Sequence, residues 1–187
     1  MGYALFAQRK VQLTGQLNTI SLMQTQRSNE QYMLATNTLS LNQQLSSLQV
    51  AQSTELADLY ALLANSGEDS LDQEYLDTVK DPDSTGKSPY DYMSSVGKEL
   101  IDKQLGGTNV SREDIEAKIK EKELEFQREQ DAINRKIYLV SVKENAIEME
   151  VKRLDTQISA IQQQLKAVEE AEGSAIERAT PKFNGVG

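Results

Sequence analysis

Several residue types that support common protein chemistry are missing from this sequence. Its 187 residues include no cysteine, no histidine and no tryptophan, and aromatic residues make up only 5% of the chain. The absence of cysteine and histidine excludes disulfides, thiolate catalysis and most zinc sites. The shortage of aromatic side chains leaves little to fill a thick globular core. We therefore expect no enzymatic activity and no cofactor.

Positive charge and long apolar runs are also scarce. Twenty Lys and Arg stand against 29 Asp and Glu, and this net charge of −9 disfavours nucleic acid as a partner. The longest apolar run near the N-terminus covers residues 4–7, which is too short for a signal peptide or a membrane span. We expect a chain that does not span a membrane and is either cytosolic or exported without a cleaved apolar signal.

Apolar residues recur at heptad spacing through the last third of the chain. One row comprises Ile119, Phe126, Ile133, Val140, Ile147, Leu154, Ile161, Val168 and Ala175. The complementary row is mostly apolar and includes Ile137, Val151, Ile158 and Leu165. Alternating three- and four-residue steps define a coiled-coil seam. The pattern predicts one helix over residues 112–179, begun by a capping box between Ser111 and Asp114 and ended by Pro181.

A looser seam of the same kind occupies the first third. Its rows comprise Leu13, Ile20, Leu34, Leu41, Leu48 and Leu62, and Leu17, Leu45 and Leu59. Polar or charged residues interrupt the rows at Arg27, Glu55, Gln24, Gln31, Thr38 and Gln52. The spacing predicts a helix over about residues 3–64 that ends at an Asn-Ser-Gly turn signal.

The middle segment, 65–111, differs from both flanks. It contains the turn-forming stretches SGEDS, DPDSTGKSP and GGTN, and its ten acidic and four basic residues sum to −6. Short helices are expected at 70–80 and 90–105. The predicted fold is all-α: a long antiparallel helical hairpin of coiled-coil type, built from segments 1–64 and 112–187, with 65–111 as a small helical and loop insert at the tip. A parallel homodimer, in which each helix pairs with its own copy, is the alternative.

Two stretches of the long helices are nearly free of charge. Residues 11–54 include only Arg27 and Glu30, whose spacing lets them pair, and residues 156–168 include only Lys166. Ser, Thr and Asn are poorer helix formers than Lys and Glu, so their use indicates a face that contacts other helices. The predicted assembly interface comprises Leu13, Leu17, Ile20, Leu34, Leu41, Gln43, Leu45, Ser47, Leu48, Ile147, Val151, Leu154, Ile158, Ile161 and Leu165. A partly disordered Gln/Ser-rich tail and an ordinary coiled-coil dimer are the competing interpretations.

Three smaller features allow further interpretations. The stretch DPDSTG at 81–86 matches the first half of a calcium-binding loop, but Tyr92 stands where the closing Glu belongs. The same residues also form acidic turns, so calcium binding stays open. Tyr90 and Tyr92 are candidate exposed aromatic anchors for outward contacts. Lys182 and Phe183, in the C-terminal tail, are candidates for filling a groove on a neighbouring copy.

The layout of charge-poor helical ends around an acidic insert resembles flagellin and, more closely in size, the sheath-filament subunits of type III secretion systems, in which a variable insert faces outward. The chain departs from flagellin in its unbroken heptads at 119–175 and its dense charges at 112–136. The resemblance implies a structural subunit that self-assembles in many copies into a helical extracellular filament and is handled by a dedicated export apparatus or chaperone. A cytosolic coiled-coil adaptor, chaperone or scaffold is the alternative function.

Overall fold

The computed structural model describes residues 2–179 and confirms the all-α fold. The helices are α1 (Gly2–Ala64), α2 (Gln73–Lys80), α3 (Pro89–Tyr92), α4 (Ser95–Leu105) and α5 (Arg112–Ala179). Helix α1 packs against α5 as an antiparallel hairpin, and no strand occurs between residues 2 and 179. The helix stop expected at Pro181 and the tail contacts expected of Lys182 and Phe183 lie outside the described residues.

The chain divides into two compact units. Unit 1 comprises Met1–Thr38 and Leu139–Gly187, and unit 2 comprises Leu39–Tyr138. Each unit contains a part of α1 packed along a part of α5. Helices α2, α3 and α4 belong to unit 2.

The seam of unit 1 follows the predicted heptad rows. Leu13 on α1 and Leu154 and Ile161 on α5 are buried. Further seam positions are half-buried, among them Leu17, Ile20, Gln24, Arg27, Gln31 and Leu34 on α1, and Val140, Glu144, Ile147, Val151, Ile158, Leu165 and Val168 on α5. The buried and half-buried positions recur every three or four residues on both helices. One mainly apolar stripe of each helix therefore faces the other helix.

Two polar residues on this seam, Gln24 and Arg27, contact polar residues of the opposite helix. The Arg27 guanidinium lies 3.0 Å from a Glu150 carboxylate oxygen. The Gln24 amide donates a hydrogen bond to the Asp155 carboxylate. The predicted Arg27–Glu30 pair is present as well, at 2.5 Å. Arg27 therefore interrupts the apolar row with its charge paired, whereas Glu144, on the complementary row of α5, is half-buried without an ion pair to any described residue.

In unit 2, the insert closes over the ends of the two long helices. Leu59 and Leu62 of α1 and Ile115 and Ile119 of α5 share one core cluster with the insert. The insert contributes Leu71, Leu76, Val79, Val96, Leu100, Ile101 and Val110 to it. Burial of these side chains makes the insert a packed cap over the turn of the hairpin.

Hydrogen bonds at helix starts explain where the elements of unit 2 begin. The predicted capping box of α5 is confirmed: the Ser111 backbone N–H and hydroxyl donate to Asp114, and the Asp114 N–H donates to the Ser111 hydroxyl oxygen. The helix expected over 90–105 is two helices. Ser94 is extended and caps α4, and its N–H donates to the Asp58 carboxylate at 2.6 Å. This long-range contact interrupts the helix between α3 and α4.

Candidate assembly surface

The apolar residues of the predicted interface lie on the seam inside the chain. In unit 1, Leu13, Leu154 and Ile161 are buried, and Leu17, Ile20, Leu34, Ile147, Val151, Ile158 and Leu165 are half-buried. In unit 2, Leu41, Leu45 and Leu48 are half-buried. These side chains hold α1 against α5, and their contribution to contacts between copies stays a prediction.

The two polar members of that set lie on the opposite side of α1. Gln43 and Ser47, both in unit 2, are exposed. They are four residues apart and therefore share one face of the helix. The Ser47 hydroxyl donates to the Gln43 carbonyl oxygen at 3.0 Å, so it is satisfied within the helix. This face offers small polar groups and no charge to a partner.

Three of the four charged residues of α1 in unit 1 form ion pairs, and the fourth, Arg9, donates a hydrogen bond to the Gln12 side chain. Lys10 lies 2.9 Å from Glu169, and Arg27 lies between Glu30 and Glu150. The hydrogen bond to Glu30 is the main cause that raises the pKa of Arg27, and the nearby Glu150 raises it further. Both carboxylates favour the charged guanidinium. Both charged residues of α1 between positions 11 and 38, Arg27 and Glu30, therefore lie in ion pairs, which lowers the cost of desolvating this face.

A groove without any charged residue lies on the surface of unit 1. Its volume is about 740 Å³. The lining residues are Gln12, Gly15, Gln16, Thr19 and Ile20 on α1 and Gln157, Ala160 and Ile161 on α5. Gly15 has open space where a Cβ would be, so the small residue widens the groove. The groove combines an apolar floor with amide side chains that hydrogen-bond across helix interfaces.

Large apolar side chains are also exposed on the outer faces of unit 1. On α1 these are Leu5, Val11, Leu22, Met23, Tyr32 and Met33, and on α5 they include Leu139, Val142 and Met149. They occupy positions outside the two heptad rows, and sequence reasoning missed them as candidate site residues. The sequence could have identified them, because they are the apolar residues that lie outside the two heptad rows of each helix.

The two tyrosines proposed as outward contacts differ in their surroundings. Tyr92 is exposed, and the Lys87 ammonium lies 5.5 Å from its ring centroid. Tyr90 is half-buried and packs against the core cluster of the insert. Its hydroxyl donates to both Asp102 carboxylate oxygens at 2.9 Å, and this contact with Asp102 raises the pKa of Tyr90. Of the two, Tyr92 is the side chain that a partner reaches directly.

The DPDSTG stretch forms a turn closed by its own hydrogen bonds. One Asp83 carboxylate oxygen accepts from the Thr85 hydroxyl and from the backbone N–H groups of Thr85 and Lys87. These donors, the Thr85 hydroxyl above all, lower the pKa of Asp83. Gly86 has a φ of +78°, which glycine adopts without strain. Within residues 2–179, no group of three or more acidic side chains is placed to hold a metal ion.

Comparison with known proteins identified no protein that is similar to this chain. No model of a protein family, no curated protein and no solved structure matches the chain. Across the described helices, none is both long enough and apolar enough to cross a bilayer. The fold and the surface of the chain itself are therefore the basis for an assignment of function.

Proposed function

We propose that this chain is a structural subunit that self-assembles in many copies into a helical extracellular filament. The observation that carries the proposal is the outer face of α1 in unit 1, where exposed apolar side chains stand among uncharged polar ones and every charge between residues 10 and 38 is paired. Burial of such a face in a packed interface gains apolar contact without desolvating an isolated charge.

Two further features support assembly of copies over a single isolated molecule. Exposed apolar residues on a water-soluble helix favour association when they are grouped, and unit 1 has them on both α1 and α5. The outer polar groups are mostly Gln, Ser, Thr and Asn, which bond across helix interfaces. The extracellular location, and export by a dedicated apparatus or chaperone, rest on the resemblance to flagellin and type III secretion filament subunits.

A cytosolic coiled-coil adaptor, chaperone or scaffold is the second candidate. Exposed methionines favour it, because Met23, Met33 and Met149 present flexible thioether side chains that adapt to different partners. The two functions differ in what the purified chain does alone. An adaptor stays monomeric or forms one defined small oligomer until its partner is added, whereas a filament subunit polymerises without help.

The test is the assembly state of the purified chain over a wide range of concentration. Sedimentation velocity measures the size distribution, and negative-stain electron microscopy shows its form. We expect filaments of uniform width above a critical concentration. A discrete monomer or dimer at every concentration would exclude the filament and favour the adaptor.

A further inference from the structure

Helix α5 carries a second apolar stripe on its exposed side. Leu139, Val142, Ala146 and Met149 follow one another in steps of three, four and three residues. Their spacing is that of a coiled-coil seam, yet Leu139 is 59% exposed, Val142 48% and Met149 69%. All four lie in unit 1, outside the rows that face α1. A helix with seam spacing on two faces has room for a second helix partner.

A groove with the same spacing lies on α1 in the same unit. Met23, Gln26, Glu30 and Met33 repeat the steps of three, four and three. These residues line a groove of about 650 Å³ together with Arg27, Asn29 and Glu150. The two methionines at its ends are exposed. The groove therefore has an apolar contact at each end and polar groups between them.

The stripe and the groove match in length. From Leu139 to Met149 and from Met23 to Met33, the chain advances by the same ten residues. At 1.5 Å per residue, each distance is about 15 Å along the helix axis. Apolar side chains at both ends of the stripe therefore meet apolar side chains at both ends of the groove.

Charge selects the direction in which the two surfaces pair. The groove holds one guanidinium, Arg27, between the carboxylates of Glu30 and Glu150, so it keeps one net negative charge. Lys143 borders the stripe and, within the described part of the chain, takes part in no ion pair. A parallel alignment would set Leu139 against Met23. Lys143 would then face Arg27, because each of them lies four positions after the aligned residue. In an antiparallel alignment it lies one residue from Glu30.

We propose that the stripe of one copy docks antiparallel into the groove of the next copy, with Leu139 against Met33, Met149 against Met23, and Lys143 beside Glu30. This contact deepens the proposed function and rests on it. It joins two different surfaces of the same unit, so each docked copy still presents a stripe or a groove. Such a heterologous contact propagates into a filament unless a ring closes.

Charge reversal on the two surfaces tests the pairing. K143E makes the stripe repel the groove, and E30K makes the groove repel the stripe. We expect each variant alone to raise the critical concentration for assembly at least about tenfold, since like charges across an interface are strongly disfavoured. An equal mixture restores assembly, because every stripe then meets a groove of opposite charge on the other variant. K120E makes the same change at an exposed position in the charge-dense part of α5; it serves as the matched control and assembles as the unaltered chain does.

A cross-linking experiment tests the direction without altering charge. The chain has no cysteine, so M33C on one copy and L139C on another introduce the only thiols. We expect mild oxidation of this mixture to give the linked pair at least about tenfold faster than a mixture of M23C and L139C, in line with the antiparallel register. Circular dichroism confirms that the variants keep their helix content.

The outcomes separate this contact from the proposed function. Filaments of K143E at the concentration at which the unaltered chain assembles would overturn the contact and leave the filament in place. Equal cross-linking of Met23 and Met33 positions would overturn the antiparallel register. An unaltered chain that never assembles, with no cross-link in either mixture, would overturn the filament and the contact together.

Discussion

Arg27 occupies a seam position equivalent to those of Ile20 and Leu34, yet it carries a charge. Its guanidinium is held by Glu30 on its own helix and by Glu150 on α5 in the same unit. The side chain therefore fills a position in the seam while its charge is compensated at the edge. The same principle applies at Lys10, which pairs with Glu169. Individual charges on the long helix are tolerated where the opposite helix supplies a partner.

Leu154 is the residue on which we expect the hairpin of unit 1 to depend most clearly. It is 3% exposed, so Leu154→Ala leaves a cavity and should lower the free energy of unfolding by about 2–5 kcal/mol. Leu22→Ala is the matched control, because Leu22 lies on the exposed side of α1 and its truncation should cost less than about 1 kcal/mol. Urea unfolding followed by circular dichroism, at a concentration below assembly, measures both. Equal effects of the two changes would place Leu154 outside the seam.

Asp114 should make the start of α5 sensitive to acid. The Ser111 hydroxyl and then the Ser111 backbone N–H lower the pKa of Asp114, because both donate to the ionised carboxylate. A lowered folded-state pKa means that this stabilisation is complete above the unfolded value of about 3.9 and is lost as the pH falls through the lower folded value. Asp114→Ala should therefore destabilise the chain at pH 7 and have a smaller effect at an acidic pH below the lowered folded-state pKa of Asp114.

Chemical unfolding at the two pH values measures this difference. Asp131→Ala is the control, because it removes an exposed carboxylate from the middle of α5, away from any helix start. The capping interpretation fails if Asp114→Ala and Asp131→Ala have the same effect at pH 7, or if the effect of Asp114→Ala persists unchanged in acid.

At the scale of the helices, each long helix has one face that packs against the other long helix and one face that points outward. The heptad rows of α1 and α5 meet each other, and most of the remaining positions are exposed. On α1 those positions are almost free of charge, whereas on α5 at residues 112–136 they carry dense charge with ion pairs three or four residues apart. A charged face of that kind remains in water.

The uncharged face of α1 in unit 2 gives a direct test of the assembly interface. Gln43→Lys combined with Ser47→Lys places two unpaired charges on one exposed face, and we expect it to abolish filaments while helix content is retained. The control is Gln127→Lys with Asn134→Lys, which adds the same charge to exposed positions of the charge-dense part of α5. Electron microscopy compares the two double variants. Normal filaments from the Gln43/Ser47 variant would exclude this face from the interface.

The parts of the fold that were predictable are those set by local sequence. The seam rows follow from three- and four-residue spacing, the end of α1 follows from the Asn-Ser-Gly turn residues, and the start of α5 follows from the Ser111–Asp114 capping box. The features of the fold that could not be predicted from the sequence depend on contacts between residues far apart in the chain. The break before α4 depends on Asp58, which is 36 residues away from Ser94, and the burial of Tyr90 depends on the core cluster. The match between the Met23–Met33 groove and the Leu139–Met149 stripe required the seam to be assigned first.

At the scale of the whole molecule, the charge is divided between segments of different construction. The insert, 65–111, carries −6 of the total of −9. Its helices are packed on a core of their own with the ends of α1 and α5. If it lies outermost in a filament, mutual repulsion keeps filaments apart at low ionic strength. We expect salt to screen this repulsion over the Debye length of about 10 Å at 0.1 M and to bundle the filaments, which light scattering and microscopy measure.

The insert itself should be dispensable for polymerisation, and the structure determines how that must be tested. Replacement of 68–108 by a short Gly/Ser loop uncovers Leu59, Leu62, Ile115 and Ile119, which are buried under the insert. Because exposed apolar side chains cause nonspecific aggregation, the four positions are changed to Gln in the same variant; Gln is polar and a good helix former. The deletion without these four changes is the control and should give amorphous aggregates. We expect the trimmed, polar variant to form filaments as readily as the full chain, since the proposed contacts of unit 1 are intact. A trimmed variant that keeps its helices but stays monomeric would show that the insert is itself an assembly element, and that α1 and α5 alone do not build the filament.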